Sequence, residues 1–282
     1  MPVMDKLFTL NHFGFLSVTG KDALKFLQGY TTCDLNELDS SRSLVGAICN
    51  IQGRMVANFR VAPYEGGFLL RLNAKLIPVV EAFLKKYIVF SKAKLENLSS
   101  SLFCYGSLEA EPNYPKNKLQ FIEDQGNWII CVDDLSHRFE IWSNKQRSSN
   151  DDLQVWFKKE IDSGYAWVDE QSESEYLPQT FNLHNLEGIS FEKGCYLGQE
   201  IVARMQFRGK LKKTLYSGES QGTFQIGDML LTEDGKSVGK IVAASEFHFL
   251  AVIQAKSETN LQLRLSDRAE VNVRDLASIT PE

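Results

Sequence analysis

The chain has 282 residues, of which 43% are hydrophobic and 24% are charged, and its formal net charge is −5 at pH 7. This composition predicts a globular protein of about two domains, with three small ones as the alternative, and it excludes wholesale disorder. A net acidic chain is also not a generally basic nucleic-acid binder, although a local basic patch stays open.

Targeting and redox features indicate a cytoplasmic protein without a membrane association. The segment Met1 to Leu10 has no apolar run of signal-peptide length, and no stretch approaches the ~20 apolar residues of a membrane span. The five cysteines are scattered and form no C-x-x-C pair, which favours reduced thiols over disulfides or a zinc site. Four of them are expected to pack as small apolar residues: Cys33, Cys49, Cys104 and Cys131.

The N-terminal part of the chain predicts a β-meander covered by a helix. Strands are predicted over four segments: Phe13 to Val18, Leu44 to Cys49, Met55 to Val61, and Phe68 to Leu72. After the first of them, Thr19 offers a cap for a short helix. A longer helix that packs on the sheet is predicted from apolar residues at helical spacing: Leu76, Val80, Phe83, Leu84 and Tyr87.

The remainder of the chain predicts an α+β middle and an all-β end. The middle contains three predicted strands: Leu102 to Tyr105, Trp128 to Val132, and Phe139 to Trp142. A helix follows with Trp156 on its apolar face and Gly164 at its end. After Lys210, glycines separate short strands and no helical period is visible, which predicts a small β-barrel or sandwich. The candidate strands are Leu211 to Tyr216, Met229 to Leu231, Val238 to Ala243, Phe247 to Ile253, Leu261 to Leu265, and Ala269 to Val273.

The run KGCYLGQE, residues 193–200, is a candidate reactive-thiol motif. Its first six residues predict a tight turn, and Gln199 to Met205 predicts a short helix that packs through Ile201, Val202 and Met205. A cysteine at the start of a helix meets the positive end of the helix dipole, and Lys193 adds a cation, so Cys195 is expected to favour its thiolate form. The alternative is that Cys195 is buried and inert, as most free cysteines are.

A cluster of cations follows this motif without an intervening acidic residue: Arg204, Arg208, Lys210, Lys212 and Lys213. On an acidic protein, such a cluster focuses a positive field on one place. It is expected to hold a polyanion such as a polyglutamyl tail or an RNA phosphate backbone. The alternative is a solvated strand edge, where lysines discourage pairing with other chains.

The motif and its surroundings resemble the YgfZ family. KGCYLGQE matches the family signature, and further similarity lies upstream in Phe26-Leu27-Gln28-Gly29, Lys85-Lys86-Tyr87 and Val89-Phe90-Ser91-Lys92. The resemblance covers most of the first two-thirds of the chain. It implies the fold of the glycine-cleavage T-protein: interlocked α+β domains around a central channel, followed by a small C-terminal β-barrel. It also implies binding of tetrahydrofolate or another reduced folate and support of iron–sulfur enzymes, including those that thiolate tRNA.

The resemblance also implies which residues contact the folate. Two aromatic positions flank it in the family, and they fall on Phe13 and Trp156; members carry Trp at the first position, so Phe13 is a departure. Gln199, Glu200 and Arg204 are implied as further folate contacts. The position of the T-protein's catalytic aspartate falls on Val80, which can neither transfer a proton nor stabilise a cation.

Three functions follow as hypotheses. The first is a folate-binding accessory protein for iron–sulfur cluster assembly or maintenance, and thereby for tRNA modification, with Cys195 as its functional thiol and iron–sulfur enzymes or assembly proteins as partners. The second is an active tetrahydrofolate-dependent aminomethyltransferase, and the third is a tRNA-binding module. The predicted division of the chain is 1–105, an α+β folate-binding portion; 106–209, a second α+β portion with KGCYLGQE; and 210–282, the barrel.

Overall fold

The structure is a computed structural model that describes residues 7–147, 152–254, 263–265 and 269–276. Its strands and helices are, in chain order, β1 (Leu7–Thr9), β2 (Phe13–Thr19), α1 (Ala23–Gln28), β3 (Leu44–Cys49), β4 (Met55–Tyr64), β5 (Gly67–Asn73), α2 (Ile77–Ile88), β6 (Lys94–Asn97), β7 (Phe103–Ser107), β8 (Phe121–Asp124), β9 (Asn127–Asp133), β10 (Arg138–Ser143), α3 (Gln154–Asp162), α4 (Gln199–Arg208), β11 (Lys213–Glu219), β12 (Met229–Thr232), β13 (Ser237–Ala244), β14 (His248–Gln254), β15 (Leu263–Arg264) and β16 (Glu270–Asp275).

The first sheet contains five antiparallel strands in the order β3-β4-β5-β2-β6. The predicted meander and its turns are confirmed, and α2 covers one face through Ile77, Val80 and Leu84. The other face turns towards the second sheet, so the central strands are buried on both sides. In β4, Phe59 and Val61 therefore pack with the α2 side, while the alternate residues Arg60 and Ala62 point the other way.

The predicted cap of the first helix is wrong. Thr19 is the last residue of β2, and α1 begins at Ala23. The carboxylate of Asp22 precedes the helix but accepts a hydrogen bond of 2.7 Å from the backbone N–H of Lys92. The start of α1 is therefore fixed by a contact with a distant turn, which a local capping pattern does not reveal.

The second sheet also contains five strands, in the order β1-β7-β10-β9-β8. Its edge strand β1 pairs with β7, with Leu7 opposite Ser107 and Thr9 opposite Tyr105. The described part of the chain thus begins in the second sheet and enters the first one at β2, after Leu10, Asn11 and His12. The two sheets pack on each other through a shared apolar core to which α3 contributes Trp156.

The C-terminal part forms the predicted small barrel, which is closed by six antiparallel strands in the order β11-β14-β13-β12-β15-β16. Closure results from β11, which pairs with β14 on one side and with β16 on the other. In the predicted strand Leu261 to Leu265, residues 261–262 lie outside the described part, and Leu263–Arg264 is strand. No helix in the described residues is long and apolar enough to cross a membrane.

Candidate functional site

Five ionisable side chains are buried where the two sheets and α3 meet. They are named here the arginine cluster: Arg60, Arg71, Arg138, Glu140 and Glu160. Arg60 and Arg71 are neighbours across β4 and β5, and Arg138 and Glu140 share a face of β10 because they are two residues apart. Three guanidinium groups against two carboxylates leave an excess of positive charge in the interior.

One carboxylate joins the two sheets. Arg71 donates from Nε to Oε2 of Glu140 at 3.0 Å and from Nη2 to Oε1, a bidentate pair. Glu140 also accepts a hydrogen bond of 2.9 Å from the indole N–H of Trp142 and lies 3.6 Å from Nε of Arg60. The second carboxylate, Glu160 on α3, accepts a hydrogen bond of 3.0 Å from the indole N–H of Trp167.

Aromatic rings enclose the guanidinium groups. The guanidinium carbon of Arg71 lies 3.8 Å from the ring centre of Phe13 and 4.0 Å from that of Trp167, so both rings cover the same cation. Arg138 lies 5.4 Å from the ring of Trp156 and 5.5 Å from that of Tyr165. The arrangement gives the site flat apolar surfaces beside fixed positive charges.

The protein environment shifts the titration of the acids and of a histidine at this site. Burial by itself raises the pKa of Glu140, but the guanidinium groups of Arg71 and Arg60 outweigh it and hold that pKa below its usual value. For Glu160, burial dominates and the pKa is raised, with Arg138 opposing. Burial, followed by the charge of Arg71, lowers the pKa of His12 to about 4.

Several buried polar atoms of this site have no hydrogen-bond partner in the described structure. They are Nε and Nη1 of Arg60, Nη1 of Arg71, Nε and Nη1 of Arg138, Nε1 of Trp156, Nε2 of His12 and the hydroxyl of Tyr165. Unpaired buried donors are costly in a finished fold, and ligands are among the groups that satisfy them. A planar molecule with carbonyl, ring-nitrogen or carboxylate acceptors matches the guanidinium donors, while its amino groups match Glu160. The pteridine of a folate has this chemistry, so the residues fit such a cofactor.

The structure brings together only part of the predicted folate contacts. Phe13 and Trp156 both belong to the core that surrounds the arginine cluster, and Trp156 stacks closely on β7, where a Cβ at Gly106 would lie 2.5 Å from its ring. Gln199, Glu200 and Arg204 lie on α4. In the described structure they make no hydrogen bond, ion pair or ring contact with Phe13 or Trp156.

Lys193 fixes the motif loop to the end of α1 and to the loop that follows it. Its buried ammonium donates to the backbone carbonyl oxygens of Gln28, Thr31 and Cys33 at 2.9, 2.7 and 2.7 Å. Burial lowers the pKa of Lys193 to about 8. The backbone N–H of Leu197 adds a hydrogen bond of 3.0 Å to the carbonyl of Gly29. Lys193 therefore positions the loop that carries Cys195.

Cys195 is the exposed thiol among the described cysteines, and the other four are buried as predicted. Burial raises the pKa of Cys33 to about 12 and that of Cys131 to about 11, and it raises the pKa of Cys49 and Cys104 as well. Cys195 lies in an irregular stretch that is followed by a turn at Leu197 and Gly198, and α4 begins at Gln199. Its neighbour Gly194 is exposed, and a Cβ added there would meet nothing within 4 Å.

The helix that follows the motif packs less than predicted. Of Ile201, Val202 and Met205, Val202 is fully buried, whereas Ile201 is exposed and Met205 is half-buried. The helix lies on the surface, so only a narrow stripe of its face is covered. Four cations of the basic segment are exposed and form no ion pair in the described structure: Arg204, Arg208, Lys210 and Lys212. Lys213 differs, because its ammonium lies 3.8 Å from the carboxylate of Glu175.

Sequence reasoning missed the arginine cluster, although its strands contain a signal. Arg60, Arg71 and Glu140 each have an apolar residue on either side in the sequence. Because successive side chains of a strand point to opposite faces, these neighbours make the opposite face of each strand apolar. A charge in the middle of such a strand is rarely left unpaired in a core. The pattern therefore indicates buried charge pairing, but it does not identify the partners.

Comparisons with known proteins agree with this architecture. The glycine-cleavage-system aminomethyltransferase T of Bartonella henselae superposes with a TM-score of 0.74 at 14% identity, covering 97% of this chain and 86% of that one. The fold is therefore that of the T-protein, as the resemblance implied.

Relatives in sequence define the family more closely. The tRNA-modifying protein YgfZ of Colwellia psychrerythraea is 32% identical over 260 residues, which is 84% of this chain and 80% of that protein. Its counterpart in Hamiltonella defensa is 28% identical over 300 residues, or 92% and 89%. The counterpart in Escherichia coli O157:H7 is 29% identical over 262 residues, or 84% and 80%. The chain belongs to the YgfZ family, although no family model matches it.

Proposed function

We propose that this chain is a folate-binding accessory protein that supports tRNA modification by assisting iron–sulfur cluster assembly or maintenance, with Cys195 as its functional thiol. The arginine cluster carries the folate part of the proposal, because its unpaired donors and aromatic faces match a pteridine. The link to tRNA modification comes from the names of the relatives. Bound folate would supply a one-carbon carrier or a redox-active ring.

Roles in folate binding follow from the positions of the side chains. Arg138 offers two unpaired donors to ring or carbonyl acceptors, and Glu160 offers a carboxylate to amino groups. Phe13 and Trp156 provide apolar walls. Trp156 is completely buried and packs on Gly106, so its removal would cost about 3–5 kcal/mol of stability and would confound a binding measurement.

The experiment that tests this proposal is therefore calorimetry with tetrahydrofolate on the wild type and on Arg138→Lys. The lysine keeps the charge and loses the fixed fork of donors, so binding should weaken about tenfold or more, as for one lost charge-assisted hydrogen bond. Lys75→Met, which changes an exposed ion pair with Glu170, is the control and should bind as the wild type does. Absence of tetrahydrofolate binding by the folded wild type would refute the proposal.

Aminomethyl transfer is the competing function, and the position aligned with the catalytic aspartate of the T-protein does not supply the acid that it needs. Val80, at the position aligned with the T-protein aspartate, is fully buried against the first sheet. Its neighbour Glu81 is engaged by Lys85 at 2.8 Å on the outer side of α2. We propose that the chain has kept the cofactor site of the fold without this reaction.

A further inference from the structure

A groove of about 370 Å³ lies beside Cys195, away from the arginine cluster. Its walls come from α1, from the end of α2 and from the motif loop, and five of its residues are aromatic: Phe26, Tyr30, Tyr87, Phe90 and Tyr196. Ring centres are 5.1 Å apart for Phe26 and Tyr30 and 4.9 Å apart for Tyr30 and Tyr87. Its volume is within the ~300–1,000 Å³ typical of ligand sites.

Phe90 is the most conspicuous of these rings, because 97% of its surface is exposed. It follows the end of α2 and is preceded by Val89, which is also largely exposed. Tyr87 is exposed as well, and apolar side chains that are exposed next to one another, unlike single ones, commonly mark a contact with a partner. A free ring face also stacks on any planar base.

The segments that form the groove carry more lysines than acidic residues, although Lys85 is paired with Glu81 and Lys193 is buried. Residues 21–30, 85–92 and 193–199 together contain six lysines and one acidic residue, Asp22. The carboxylate of Asp22 is occupied by the backbone N–H of Lys92. Lys25 lines the groove itself, and in the described structure it forms no ion pair. The local field therefore attracts an anion.

The motif loop beside the groove is held by hydrogen bonds. The three carbonyl contacts of Lys193 hold the motif loop against α1. A Cβ added at Gly194 would meet no atom within 4 Å, and the φ angle of Gly194 is not positive. Neither sterics nor backbone conformation requires glycine there, but its small size lets a partner approach the backbone and thiol of Cys195 closely.

From these observations we propose that the groove binds single-stranded RNA, with a base stacked on Phe90 and its neighbours, the backbone phosphates near Lys25, and the base edge close to Cys195. Stacking rings combined with cations are the features by which proteins hold single strands without reading their sequence. A polyanion without bases would use the lysines but not the rings. The inference rests on the proposed function only for its choice of RNA over DNA.

The test is fluorescence anisotropy with a labelled oligouridylate of about twelve nucleotides, within the range of known single-strand sites. Phe90→Ala should weaken binding about five- to a hundredfold, as expected for the loss of one stacked base. Lys25→Gln should reduce the slope of log affinity against log salt by about one. Leu135→Ala, at a side chain that is 93% exposed in the turn after β9, is the matched control and should change nothing.

A second measurement tests whether the RNA lies beside Cys195. Bound oligouridylate should slow alkylation of Cys195 by iodoacetamide, whereas an equal charge of polyphosphate should not. The inference would be overturned by absence of binding at low salt or by equal effects of Phe90→Ala and Leu135→Ala. It would also be overturned if bound oligouridylate left the alkylation rate of Cys195 unchanged. Tetrahydrofolate calorimetry on Phe90→Ala separates the two proposals, because folate binding should persist there whether or not RNA binds.

Discussion

At the scale of single residues, Cys195 differs from the other cysteines in access as well as in sequence context. It is exposed, while burial raises the pKa of each of the other four thiols. Since the thiolate is the reactive form, iodoacetamide at neutral pH should modify Cys195 first, as checked by peptide mass spectrometry. Cys195→Ser should keep the fold and fail to complement a strain that lacks the protein. Full complementation by Cys195→Ser would contradict a functional role of this thiol.

His12 makes the stability of the protein depend on pH. Its pKa is about 4 in the folded protein, below the ordinary 6.5, so the unfolded chain binds more protons between these values. The contribution of His12 is therefore present above pH 6.5 and is lost as pH falls towards 4. The free energy of unfolding from urea titrations should fall by about 1–2 kcal/mol between pH 7 and pH 5 through this residue. His12→Gln should lose this part of the pH dependence; an unchanged slope would contradict the assignment.

At the scale of elements, two glycines of the motif have opposite roles. Gly198 has φ +84° before α4, and a Cβ there would lie 2.5 Å from the carbonyl oxygen of Asn50. Gly198→Ala should therefore lower the free energy of unfolding by at least about 1–2 kcal/mol. Gly194→Ala, which meets no atom within 4 Å, is the matched control and should stay within about 0.5 kcal/mol of the wild type. Equal urea midpoints for the two variants would disprove this difference.

The basic segment, residues 204–213, is proposed to attract the anionic tail of polyglutamylated folate. Lys213 already lies near Glu175, and Arg204 is expected to contact the folate itself. The remaining exposed cations available to a tail are Arg208, Lys210 and Lys212. Each exposed contact should contribute about 0.2–1 kcal/mol and should weaken with salt. Calorimetry should show affinity that rises with tail length. Neutralising the three cations together should abolish that rise and spare monoglutamate binding. A triple variant that still prefers long tails would assign the segment to another ligand.

Most strands and helices could be predicted from the sequence, because the alternation of apolar and polar residues and the glycines of turns are local patterns. β3 and the turn at Glu65-Gly66 lie where the pattern predicted them. The buried face of α4 could not be predicted from the sequence. The same apolar spacing occurs in a helix that buries a broad face against the protein and in one that buries only Val202. The arginine cluster was also beyond a local pattern, because Arg71 and Glu140 are 69 residues apart in the chain.

At the scale of the whole molecule, the pair Arg71–Glu140 joins the two sheets in a region without water contact. Arg71→Met would leave Glu140 with weaker partners in the core, and breaking a buried pair costs about 3–5 kcal/mol. Urea unfolding should show a loss of this size. Lys75→Met breaks an exposed pair with Glu170 and should cost less than about 1 kcal/mol. Similar losses for both variants would mean that Glu140 does not depend on its buried partner.

The interlocked path of the chain also orders events on the ribosome. β1 is synthesised about a hundred residues before its partner β7, and at about 5–20 residues per second it waits roughly 5–20 s without a neighbouring strand. Arg60 and Arg71 likewise leave the ribosome long before Glu140. Until Glu140 follows, the inner face of the first sheet carries positive charges without their partner, which are costly to bury. The N-terminal half of the nascent chain is therefore expected to remain incompletely folded until β10 has left the exit tunnel. During that time it is expected to bind chaperones.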